Sequence, residues 1–165
     1  MASDEYLAGL FDGEGSFSIQ VGMRHYLPDR PSVYFNPSMS MHLHYGAAAL
    51  EALRERFGGA IYVHGKGGMR WNLGRRALVV EAAQALRPHL IIKADIADRF
   101  LEALALFPVR DGAAQSKGER TWTPDIAVQV AEIALNLNPP RSRKTNKTVE
   151  YVQILREQLS QGSPS

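Results

Sequence analysis

The hydrophobic positions of this chain change period several times, and each change marks an element. From Tyr6 to Phe11 apolar residues recur at helical spacing, and Gly13 and Gly15 follow as residues expected to stop that helix and let the chain turn. Ser16-Phe17-Ser18-Ile19-Gln20-Val21 then alternates polar and apolar, the period of a half-buried strand. Tyr26 to Pro31 holds two prolines and Asp29 and predicts a turn. A second strand follows, with Val33, Phe35, Met39, Met41 and Leu43 on one face and Tyr34, Asn36, Ser38, Ser40 and His42 on the other. Ala47 to Phe57 reads as a helix ended by Gly58-Gly59. Ile61 to His64 and Met69 to Leu73 flank Gly65-Lys66-Gly67-Gly68, the mark of a hairpin. Helices are predicted over Arg76 to Leu86, Lys93 to Leu106, from Thr123-Pro124 onward, and over Thr148 to Leu159. Val109 to Thr121 and Asn136 to Lys147 read as polar loops.

This order predicts an α+β domain in which helices cover the apolar face of an antiparallel four-stranded sheet and leave its polar face open. A chain of 165 residues that is 45% apolar accommodates one such domain, taken as 1–160 with a frayed tail over 161–165. There is no cysteine, so thiolate metal sites, disulfides and a thiol nucleophile are excluded, and any metal must be held by oxygen or nitrogen. No apolar run reaches membrane-spanning length and Met1 to Tyr6 carries acids, so the expected setting is intracellular, with no membrane partner. The net charge of +2 is too small to mark a nucleic-acid binder by bulk electrostatics. Distribution says more: 14 of the 19 basic residues are arginine, several interleaved with aromatics and glycines, which suits bidentate contact with phosphates and guanines.

The candidate chemistry lies in Leu7-Ala8-Gly9-Leu10-Phe11-Asp12-Gly13-Glu14-Gly15, where a small-residue helical face runs into two carboxylates among glycines. This stretch resembles the signature of the LAGLIDADG homing endonucleases, departing at Phe11 for an aliphatic residue, at Gly13 for alanine and at Glu14 for aspartate. The family's α-β-β-α-β-β-α order, with a saddle-shaped sheet set in the DNA major groove, matches the predicted elements. No second copy of the signature is present, Asp98 to Leu106 being only an amphipathic helix. The resemblance therefore implies the single-motif branch: a homodimer whose signature helices meet through Ala8 and Gly9, cutting both strands of a long, pseudo-palindromic DNA target. Its rivals on the same fold are an RNA-binding maturase acting on its own intron and a regulator that binds DNA without cutting.

The resemblance also implies site residues. Glu14, aided by the Gly13 carbonyl, is the expected magnesium ligand; manganese is the expected substitute, and calcium is expected to bind without supporting cleavage. Asp12 is expected to be the structural acid of the turn. Lys93 matches a lysine placed near the scissile phosphate, although it reads equally as an exposed helix-start lysine. His42 falls where relatives carry a water-positioning glutamine; His44 is its rival, and either one also fits a plain surface strand residue. On the polar sheet face Ser18, Gln20, Arg24, Tyr34, Asn36, Ser38, Ser40, Tyr62, His64, Lys66, Arg70 and Asn72 are the expected DNA readers. Arg141, Arg143, Lys144 and Lys147 resemble a basic loop that clamps phosphates.

Overall fold

The computed structural model describes residues 2–24, 32–64, 67–108, 122–137 and 147–161. The first helix, α1 (Asp4–Glu14), is capped by the Ser3 hydroxyl, which accepts from the Tyr6 N–H at 3.3 Å, and carries Asp4 and Glu5 in its first turn, where the helix dipole favours acids. It does not stop at Gly13. The helix runs on through Glu14 and passes into β1 (Gly15–Arg24) with no intervening turn, and Gly15 itself has extended φ of −78°. Gly15 serves close packing instead: a Cβ there would lie 2.3 Å from the Phe11 ring. The expected glycine turn is thus replaced by a direct helix-to-strand passage, with both acids in the last helical turn.

β1 pairs antiparallel with β2 (Ser32–Leu43) in a register that sets Phe17 against Met39 and Gln20 against Asn36. Helix α2 (Ala47–Phe57), β3 (Ala60–Val63), β4 (Met69–Leu73) and α3 (Arg76–Leu86) follow, and the strand order is β1-β2-β4-β3. Because β4 reaches only Met39 to Leu43 of β2, Pro37 falls where that strand has a neighbour on one side alone. A short 3-10 turn, Arg87–His89, leads to α4 (Ala94–Ala105), and α5 (Pro124–Leu137) and α6 (Lys147–Gln161) complete the fold. α6 keeps helical form through Gln161, the first residue of the expected frayed tail; the rest of that tail lies outside the described residues.

One core lies between the sheet and the helices. Phe17, Ile19, Val21, Phe35, Met39, Met41, Trp71 and Leu73 fill the sheet side, packed against Leu7, Phe11, Leu53, Val79, Leu86 and Phe100 of the helices. Trp71 is fully buried and donates its Nε1–H to the Gly58 carbonyl at 2.8 Å. The glycine pair after α2 is needed for this contact: both residues have positive φ, and a Cβ on Gly59 would meet the Asn72 carbonyl at 2.7 Å. Arg56 of α2 grips Asp4 of α1 with two hydrogen bonds of 2.9 and 3.0 Å, which fixes the start of α1 against the rest of the helical layer. Among the described residues no helix is long and apolar enough to cross a membrane.

Candidate active site and nucleic-acid interface

The last turn of α1 places two carboxylates in opposite environments. Asp12 is buried and Glu14, two residues on, is exposed, as is Gly13 between them. Asp12 does not cap its own turn. Its Oδ2 accepts from the backbone N–H groups of Ile91 at 2.7 Å and Ile92 at 3.1 Å, and its Oδ1 accepts from that of Lys93 at 2.9 Å. Burial pushes the Asp12 carboxyl upward, but the three N–H donors and the nearby Lys93 charge outweigh it and hold the group below its usual range. Asp12 therefore ties the end of α1 to partners about eighty residues away, at the entrance to α4.

Lys93 completes the clamp. Its backbone N–H meets the Asp12 carboxylate, while its Nζ donates to the Asp12 carbonyl, one peptide before Gly13. A cation there offsets the negative end of the α1 dipole, where the terminal carbonyls lack helical partners. Lys93 thus stands at the start of α4, half-buried rather than exposed, with its charge held beside the last turn of α1.

The sheet delivers His42 to this end of the molecule. Met41 is the rung partner of Gly15, and His42 comes next on β2, exposed and on the polar face. His44 lies past the end of the strand and is also exposed. On the same face Gln20, Asn36, Tyr62, His64 and Arg70 are exposed, and Ser18, Ser38, Ser40 and Asn72 are half-buried. Several are already engaged: the Ser18 and Ser38 hydroxyls share a hydrogen bond of 2.9 Å, and Arg70 Nη2 donates to Ser40 Oγ at 3.3 Å. Tyr34 lies across β1, since a Cβ on Gly22 would meet its ring at 2.2 Å. Arg24 sits in β1 opposite Ser32, and Lys147 begins α6. Lys66, Arg141, Arg143 and Lys144 lie outside the described residues.

The expected pairing surface is corrected in one half. Ala8 is fully buried within this chain's own core, beside Leu7 and Phe11, and is not available to a partner. Gly9 is exposed, and a Cβ on it would meet nothing within 4 Å. With a helical repeat of 3.6 residues, Tyr6, Gly9 and Gly13 share the outer face of α1, and all three are exposed. The sequence reading missed Ile91 and Ile92, which are 87% and 76% exposed next to this helix. Three consecutive apolar residues in a loop cannot all face one core, and that run was the available signal: Leu90 turns inward while its two neighbours stay outside. Among the described residues no group of three or more histidine or acidic side chains is placed to hold a metal ion.

The family model described as LAGLIDADG endonuclease matches residues 7–79, from α1 into α3. No curated protein matches the sequence. Among solved structures the fold is similar to that of the homing endonuclease I-CvuI in complex with the I-CreI target in 2 mM Mg, at 18% identity, covering 95% of this chain and 94% of that one, with a TM-score of 0.72. It is similar to the archaeal intron-encoded homing endonuclease I-Vdi141I complexed with DNA, at 18% identity over 96% of this chain and 97% of that one, TM-score 0.71. A third likeness is to the LAGLIDADG homing endonuclease I-GzeII in complex with its DNA target, at 13% identity and TM-score 0.68. That match covers 92% of this chain but 50% of the other.

Proposed function

We propose that this chain is a homing endonuclease of the LAGLIDADG type, a site-specific enzyme that cuts both strands of a long, pseudo-palindromic DNA target as a metal-dependent homodimer. The observation that carries the reading is the split of roles in the last turn of α1: Asp12 is consumed in holding the turn to the entrance of α4, while Glu14 is an exposed carboxylate that, among the described residues, makes no ion pair, at the edge of the polar face of the sheet. An exposed carboxylate beside a held lysine and a face rich in hydrogen-bonding side chains suits phosphodiester hydrolysis.

The donor set fits a hard divalent cation such as magnesium. Glu14 would hold it through its carboxylate, with the Gly13 carbonyl as a second oxygen, at a helix end whose partial charge is negative. Such an ion supplies charge neutralisation at the phosphate and a more acidic bound water. Lys93 holds a positive charge next to the same turn, where it would stabilise the charge that gathers on the scissile phosphate. His42, on the polar face at this end of β2, would orient the attacking water. The sheet face would set register by hydrogen bonds to base edges, with Arg70 suited to guanine and Gln20, Asn36 and Asn72 to adenine.

A single chain supplies one such carboxylate, and two strands must be cut. The outer face of α1 exposes Tyr6, Gly9 and Gly13, and Ile91 and Ile92, whose backbone N–H groups meet Asp12 of the same helix, are exposed as well; these groups support pairing with a second copy. The half-length match to I-GzeII supports the same view, since one chain of that protein is twice the span of this one. Two-fold symmetry then requires a target with matching half-sites.

The test is a plasmid library of random and intron-insertion sequences incubated with magnesium, and separately with calcium. The expected result is double-strand cutting in magnesium that Glu14→Gln reduces by about 1000-fold while binding in calcium persists. Binding to folded intron RNA with no DNA cleaved would replace the proposal with the maturase. Duplex binding without cutting in any divalent metal would replace it with the regulator.

A further inference from the structure

The end of the sheet that carries His42 holds two more histidines, and the three converge. The His42 ring centroid lies 5.3 Å from that of His64, edge to face, and 5.9 Å from that of His44. Separate segments supply them: β2 carries His42, the bend after it carries His44, and His64 follows β3 at the hairpin, where its backbone N–H donates to the Gly68 carbonyl at 2.7 Å. Gly68 gives the rings their room, since a Cβ there would stand 3.3 Å from His42 Nε2 and 3.6 Å from His44 Nδ1. All three side chains are exposed. Among the described residues none of the three lies within ion-pair distance of a carboxylate, whereas His89 approaches Glu5 at 3.9 Å.

The groups around the cluster are mostly basic or neutral. Arg70 of β4 is the rung partner of His42, Tyr62 of β3 is the rung partner of Arg70, and Tyr45 follows His44. Glu14 ends α1 at the same end of the sheet. An arriving phosphate supplies negative charge at short range.

We infer that His42, His44 and His64 together form a contact for a phosphodiester oxygen, and that the contact takes up protons as it forms. The inference rests on the nucleic-acid reading above. Imidazole is the side chain whose charge ordinarily changes between about pH 5 and about pH 8. Binding and protonation are then reciprocal: if phosphate favours the charged rings, acid favours the complex, and affinity rises as pH falls through that range.

The experiment measures anisotropy of a labelled duplex of roughly 30 base pairs and arbitrary fixed sequence, at constant ionic strength with divalent metal chelated. Wild type is expected to bind about tenfold or more tightly at about pH 6 than at about pH 8. The double substitution H44Q/H64Q should shrink that rise to about twofold, and H89Q should keep it in full. Titration calorimetry of the wild type in two buffers of different ionisation enthalpy gives proton uptake directly, so the outcome does not depend on variants folding. Equal affinity at both pH values, a rise retained by the double variant, or no proton uptake would overturn the inference and leave the nucleic-acid reading standing. Failure to bind duplex at any pH would remove that reading and the inference with it.

Discussion

Replacing Asp12 by asparagine removes one charge and turns one acceptor into a donor, at a place where three backbone N–H groups point inward. Oδ2 serves Ile91 and Ile92, and Oδ1 serves Lys93. Whichever way the amide sits, at least one N–H faces an NH2 group. Losing that charge-assisted bond costs about 1.5 to 3 kcal/mol. The two bonds that survive become neutral and weaken by about 1 kcal/mol each. The sum is about 4 kcal/mol, a large part of the roughly 5 to 15 kcal/mol that holds a domain together. For a domain of this length it corresponds to a fall in Tm of roughly 8 to 16 °C.

Urea and thermal unfolding near neutral pH, at matched protein concentration so that the proposed pairing is held constant, would measure it. A loss under about 1 kcal/mol would refute the assignment of Asp12 as the clamp on the α4 entrance. The pH dependence gives a second check. The folded carboxyl is held below its ordinary 3.8, so its stabilisation is fully present above that value and is lost as pH falls from there toward the depressed folded value. The gap between wild type and Asp12→Asn should therefore stay constant at neutral pH and close on acidification.

Ala8 and Gly9 should separate folding from pairing. Ala8→Leu overfills a fully buried site and should cost about 1 to 3 kcal/mol in urea unfolding, whereas Gly9→Leu should leave the fold intact and shift the protein toward monomer in sedimentation. Gly15→Ala should destabilise by at least about 1 kcal/mol in the same unfolding assay, because the Phe11 ring occupies the place of the new methyl. Trp71→Phe should cost about 1 to 3 kcal/mol in denaturant titration, since it strands the Gly58 carbonyl and leaves a gap in the core. Lys93→Met should lower the cleavage rate by about 100-fold at saturating DNA, with binding affinity changed far less.

Local pattern was enough for the elements themselves. The alternation in Ser16 to Val21 and Val33 to Leu43 assigned each side chain to a sheet face, and Phe17, Phe35, Met39 and Met41 lie in the core as their positions require. The period of a strand or helix is a property of neighbouring residues, so it survives without knowledge of the fold. The signature stretch likewise named its own acids.

Tertiary structure decided whatever depended on a distant partner or on orientation about a helix axis. Ala8 and Gly9 are adjacent and both small, yet a turn of about 100° per residue sends one into the core and leaves the other outside. Asp12 and Glu14 are alike in composition and separated by the loop that each does or does not meet, eighty residues on. Ile91 and Ile92 look like core residues until the Asp12 clamp is seen to hold their backbone and leave their side chains in solvent. The histidine cluster belongs to the same class, because only the pairing of β2 with the β3–β4 hairpin brings the rings of His42 and His64, twenty-two positions apart, to 5.3 Å. Sequence fixes what short-range sterics and solvation decide along the chain, and packing fixes which of those prepared groups are left free to act.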